Sequence, residues 1–358
     1  MFPTREPQPR PLDDLSLSFA ELAKQAVDAA RIRKDIERLP APRNRLHAAT
    51  AMDEADRILV ESFSAAGWMA GLSGFDIRNV RGVLDYAEGR YPAGAKPIIY
   101  PRLIGANILA LKPGVESTDV VVVGAHHDTI RDSPGADDNT ASVAALLELA
   151  RLLGPYSFRD TVLLAVFDME ELNMFGSREL VRLLAPQQRV RNAIIFETMA
   201  YGSKLPGTQK VPKALAHFYP EQAEKIRKRE FRGDWTAVIY NNSAVDIATA
   251  FGSALTHIAG PDAAILFRDL SDLPMIGSLL RLLPGIRHLS RSDHLSFWKA
   301  GIPAILVTDT ADFRNPNYHQ PSDTPDTLDY ERVAAIVQAT AVTVAKLAGY
   351  RPAQIAAM

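Results

Sequence analysis

The chain has 358 residues, with 40 Lys+Arg against 42 Asp+Glu and a formal net charge of −2, so charge gives no case for nucleic acid or an anionic membrane as partner. It has no cysteine, which excludes disulfide staples and thiolate metal sites and leaves any metal to His, Asp or Glu. A hydrophobic share of 47% at this length is ample for one large domain with its own core.

Residues 1–14, rich in Pro and charge, read as a flexible tail. No apolar segment follows that would serve as a signal peptide or membrane span, and the expected location is the cytoplasm. Ser18 and Glu21 have capping-box spacing. Phe19, Leu22, Ala26 and Ile32 follow at helical periods until Pro40 stops the run. A second helix is predicted over Thr50 to Ala66, with Gly67 as its stop. Strands are predicted over Asp76 to Ala87 and Gly105 to Leu111, around a Pro/Gly-rich loop.

The continuous β-branched run Val120 to Val123 suits a parallel strand covered on both faces. A helix is predicted from Asn139 to Leu153, a second buried strand over Thr161 to Phe167, and a helix from Asn173 to Leu184. Another strand runs over Ala193 to Phe196. Residues 203–290 break this rhythm and read as an insertion forming a lid over the mouth of the site. Pro303 to Val307 returns to the sheet, and a closing helix spans Tyr330 to Leu347. Strands alternating with helices predict an α/β domain over residues 15–358, built on a mainly parallel central sheet with helices on both faces.

The polar residues cluster where these strands end. His126 and Asp128 follow one strand, Glu170 and Glu171 a second, and Glu197 a third. Asp137 stands at a helix start and His319 in a late loop. In open α/β sheets, ligands sit outside the carboxyl ends of the strands. Carboxylates converging in a partly buried cleft repel one another unless a cation is present. Imidazole and carboxylate together suit zinc or a similar divalent ion.

At these residues the chain resembles the M28 metallopeptidases, the di-zinc aminopeptidases of the zinc-exopeptidase fold. The segments GAHHD, PGADDN, MEELNMFGS, FETMAYG, SDHLSFWKAGIPA and YHQPSDTPDTLD are similar to that family's motifs and fall in its order. The resemblance implies a phosphorylase/hydrolase-like α/β sandwich, two zinc ions per chain with cobalt or manganese as substitutes, and a peptide substrate. By it, His126, Asp137 and Glu197 hold one zinc, and Asp137 bridges to a second held by Glu171 and His319. Asp128 orients His126, and Glu170 is the general base. A cis peptide is implied between Asp137 and Asp138.

Asp293, His294 and Tyr318 are expected near the substrate, Asp323 as a brace for the His319 loop, and His127 as a supporting or wall residue. Asp138 reads as structural, and Asp168 receives no role. Asn173 stands where the family has Gly and is expected to tolerate the left-handed backbone. The expected activity is removal of N-terminal residues from peptides. The alternatives are a glutaminyl-cyclase-like acyltransferase, which shares the fold but uses one metal, and a non-catalytic binding protein on the same fold.

Overall fold

The structure, a computed structural model, describes residues 5–83, 97–184, 186–273, 275, 277–280 and 284–351. An eight-stranded sheet organises it. Its strands are β1 (Met69–Val83), β2 (Pro97–Lys112), β3 (Val120–His126), β4 (Thr161–Phe167), β5 (Val190–Glu197), β6 (Thr236–Tyr240), β7 (Ala264–Arg268) and β8 (Ala304–Thr308). They lie side by side in the order β1-β2-β4-β3-β5-β8-β6-β7. β4, β3, β5 and β8 are mutually parallel. Their carboxyl ends (Phe167, His126, Glu197 and Thr308) therefore line one edge. The fold is the mainly parallel α/β sheet that the alternating pattern predicts.

The core explains why the central strands read as unbroken apolar runs. Val121 and Val123 pack into one hydrophobic cluster, with Leu164 and Val166. Val120 and Val122 pack into another, with Leu163 and Phe167. A strand with helices on both faces has no solvated side, so period-two alternation disappears. The helices Ala141–Leu153, Val245–Ala259 and Tyr330–Ala348 supply one cover. Phe297, Trp235 and the helix Phe175–Leu184 contribute to the other.

Several expectations are corrected. The first predicted helix is two, Asp14–Ala26 and Ala29–Arg38, each started by its own aspartate cap rather than by Ser18. Asp13 accepts from Ser16 N, and Asp28 from Ala30 N and Arg31 N. The first strand begins at Met69, well before Asp76, and its predicted end beyond Val83 lies outside the described residues.

The described part of the tail is tied down. Glu6 is buried, accepts the Leu266 amide at 3.0 Å and pairs with Lys225. It thereby satisfies a backbone donor on the edge strand β7. The 203–290 segment, expected as an inserted lid, instead supplies β6, β7 and the helix Val245–Ala259 to the sandwich. TAVIY is buried throughout, and a fully buried strand gives too short an apolar run to be told from a loop's core contact by periodicity. Among the described residues, no helix is long and apolar enough to cross a membrane.

Candidate metal centre

Five segments meet at the carboxyl edge of the sheet. His126 is the last residue of β3 and Glu197 the last of β5. Glu170 and Glu171 follow β4, and His319 lies in the loop after β8. The turn Ala136–Thr140 introduces the helix Ala141–Leu153. That turn needs Gly135, whose φ is 63° and where a Cβ would lie 2.4 Å from the Asp138 carbonyl oxygen.

Asp138 stands at the middle. Its Oδ1 is 3.2 Å from His126 Nε2 and its Oδ2 is 3.0 Å from His319 Nε2. Each imidazole also meets a glutamate. His126 Nε2 is 3.3 Å from Glu197 Oε2, and His319 Nε2 is 3.5 Å from Glu171 Oε1. Donor atoms on one tetrahedral ion with bonds of about 2.0–2.2 Å are about 3.3–3.6 Å apart, close to these separations. Neither oxygen of Asp138 accepts a well-formed hydrogen bond, nor does Glu171 Oε1. Buried carboxylate oxygens left so are what a cation would satisfy. The donor atoms of His126, Asp138 and Glu171 lie within 4.8 Å of one another, as do those of His126, Glu170 and Glu197. The donor set fits a divalent ion.

The protonation pattern follows from crowding these charges together in a buried site. Burial lowers the His126 pKa, but Glu197, Asp128 and Asp138 more than reverse this and hold it well above the usual value. His319, likewise buried against Glu171 and Asp138, is raised to about 10. Burial pushes Glu171 up to about 7, Asp138 adding and His319 opposing. Glu170 is raised well above the carboxylate range by burial and by Glu197 and Asp293, against the pull of His126.

The structure separates the two adjacent aspartates differently from the expectation. Asp137, expected to bridge, turns away: its Oδ1 accepts the Ala200 amide at 2.8 Å and its Oδ2 the Asn315 side chain at 2.7 Å. Asp138, expected to be structural, is the one that lies between the two imidazoles. Asn139 is pinned to the end of β5, donating to the Phe196 carbonyl at 3.0 Å and accepting the Thr198 amide at 3.2 Å. With both neighbours anchored, the residue between them projects into the cage. Asp323 accepts the amides of Asp137 at 2.9 Å and Asp138 at 3.2 Å. The cis peptide joins Asp138 to Asn139, one bond later than expected.

Asp128 holds the Glu170–Glu171 loop rather than only the imidazole. Its Oδ1 accepts Glu170 N at 3.0 Å and its Oδ2 accepts Glu171 N at 3.2 Å. Its backbone carbonyl lies 3.0 Å from His126 Nδ1, so Nδ1 donates there and Nε2 is left facing the cage. Asn173 takes a positive φ of 130° in the turn that follows.

The substrate-side residues scatter. His294 is fully buried, lies 3.0 Å from the Leu289 carbonyl through Nε2 and meets the Trp298 ring edge-on at 4.5 Å. It packs in the core instead of facing a substrate, because its ring follows the inward side of the short helix His294–Lys299. Asp293 is buried beside the cage, its carboxyl pushed up to about 7 by burial against the pull of His126. Tyr318 stacks on His319 with ring centroids 3.9 Å apart.

His127 is not a wall residue. It is buried between the Phe167 carbonyl at 2.7 Å and Asp56 Oδ1 at 2.9 Å. Asp168, given no role from sequence, takes Arg45 Nε at 2.7 Å and the Ala106 amide at 3.0 Å. Sequence reasoning missed Ser292, whose hydroxyl donates to Glu197 Oε2 at 2.7 Å. Its signal was its place at the head of SDHLSFW.

The model of peptidase family M28 matches residues 107–246 and 282–344. An uncharacterised protein of Escherichia coli K12, YfbL, is 34% identical over 230 residues, covering 61% of this chain and 64% of that protein. The chain thus spans less than two thirds of the length of that curated relative. A solved zinc aminopeptidase of Bacillus subtilis superposes with a TM-score of 0.62 at 16% identity, covering 92% of this chain and 97% of its own. A glutaminyl cyclase of Fimbriiglobus ruber superposes at 0.57 and 15% identity, over 89% and 95%. At these identities both likenesses show the fold.

Proposed function

The chain belongs to peptidase family M28, and from that premise we propose that it is a zinc-dependent exopeptidase that removes N-terminal residues from peptides. One observation carries the reading: Asp138 lies between two imidazoles, each of which also faces a glutamate. His126, Asp138 and Glu197 would hold one zinc ion, and Asp138, Glu171 and His319 a second, with cobalt or manganese as substitutes. Bound zinc supplies Lewis acidity, polarising a peptide carbonyl and acidifying water.

The chain's own groups do the rest. Glu170, partly exposed beside the cage, takes a proton from the attacking water and returns it to the leaving amine. Asp128 fixes that loop through two amides, so the base is held by backbone rather than by its own flexible side chain. Ser292 orients Glu197, and Tyr318 keeps the His319 ring in plane.

The presence of His126 with Glu197 as well as His319 with Glu171, on either side of Asp138, supports two ions over the single-metal cyclase arrangement, and the full donor set supports an enzyme over a non-catalytic binder. The test is zinc content by mass spectrometry together with hydrolysis of aminoacyl chromogenic substrates under zinc, cobalt and manganese. About two ions per chain and chelator-sensitive release of the N-terminal residue are expected. One ion, with cyclisation of an N-terminal Gln peptide, would overturn the reading.

A further inference from the structure

Arg178 lies in the first turn of the helix Phe175–Leu184, directly after the Glu170–Glu171 loop. That helix and the one beginning at His294 are joined by the Ser177 and Ser296 hydroxyls, 2.8 Å apart. This brings the start of the first helix beside Asp293. The Arg178 guanidinium is half-buried and donates one hydrogen bond, from Nη2 to Asn173 Oδ1 at 2.7 Å. Its Cζ stands 5.6 Å from the centre of the Phe175 ring. Asn173 is held in turn by donating to the Arg81 carbonyl of β1 at 2.9 Å. Among the described residues, no carboxylate forms an ion pair with Arg178.

This is an unusual state for a guanidinium. Five donors in a fork suit a carboxylate, and here a neutral amide takes one while no carboxylate among the described residues pairs with the fork. A half-buried cation is costly without an anion. Asn173, which takes the fork, itself donates its amide to the Glu170 carbonyl at 2.8 Å, so the guanidinium is held against the loop that carries the base. Asn173 and Phe175 fix its position without neutralising it.

We propose that Arg178 receives a carboxylate carried by the substrate, so that the preferred peptides present a negative charge next to the scissile bond. This rests on the exopeptidase reading above. The carboxylate has two possible sources: an acidic side chain on the N-terminal residue, or the free C-terminus of a dipeptide.

Three zinc-loaded titrations separate them: glutamyl-alanine amide, leucyl-alanine and leucyl-alanine amide. Binding is read by calorimetry in a Glu170→Gln background, which removes turnover without touching Asn173 or Phe175, and KM is read on the wild-type protein. One of the two acidic peptides is expected to bind roughly tenfold or more tightly than the neutral amide, and which one identifies the source. Adding Arg178→Gln erases that margin, while Arg178→Lys retains part of it. Equal binding of all three peptides, or an equal loss on all three in Arg178→Gln, overturns the proposal. An acidic preference in calorimetry with no hydrolysis of any peptide keeps the carboxylate site and sinks the exopeptidase reading instead.

Discussion

His319 Nε2 stands 3.0 Å from Asp138 Oδ2, while the other oxygen of the same carboxylate faces His126. One short side chain thereby joins a loop after β8 to the last residue of β3. Asp138→Ala should lose both ions and roughly a hundredfold or more of activity, since it removes the shared ligand. Asp137→Asn should retain zinc, because Asp137 is spent on Ala200 and Asn315. Zinc counts on the two purified variants decide between them; the reverse ranking would refute the assignment.

Glu170→Gln should keep the zinc and the fold and lose roughly a hundred- to ten-thousandfold in kcat, the range for a positioned acid–base group. The amide keeps the shape and the Asp128 contact, which is made through the backbone. Zinc content with single-turnover rates checks this. Wild-type-like kcat in the variant would show that another group moves the proton.

Metal binding should expel protons. Without metal, His126 lies well above its usual pKa and His319 near 10, so both are imidazolium at neutral pH. Both must be neutral to ligate. Affinity should therefore fall as pH falls, and zinc titrations at pH 7 in buffers of different ionisation enthalpy should register proton release. No buffer dependence would contradict the protonation pattern.

His294 makes a separate prediction about stability. Burial lowers its pKa from 6.5 to about 4, and its Nδ1 has no hydrogen-bond partner. The folded pKa lies below the unfolded one, so its contribution is complete above about pH 6.5 and is lost as pH falls through about 4. The loss is on the order of 3 kcal/mol. The urea midpoint of the wild type should drop over that interval, and the drop should be shallower in His294→Gln. Parallel pH profiles for the two proteins would rule this out.

The central strands of the sheet and the chemical types at their ends were legible in the sequence. Thr161 to Phe167 reads as a strand because every residue in it is buried on one face or the other, and such a run leaves its pattern in the chain. His126 and Glu197 are visible because imidazoles and carboxylates at strand ends are chemically distinctive, and His319 through the segment YHQPSDTPDTLD that carries it. Only the tertiary structure decided which of two identical neighbours enters the cage. Asp137 and Asp138 differ only in how they are anchored: Asp137 bonds Ala200 and Asn315, while Asp138 is followed by Asn139, which is pinned to the end of β5, and these contacts span 57 to 178 residues of chain. The same holds for His294, whose ring is claimed by Leu289 and Trp298, and for the 203–290 segment, whose strands declare themselves only against β8. Residue type is local and survives in the sequence; direction is set by distant packing and does not.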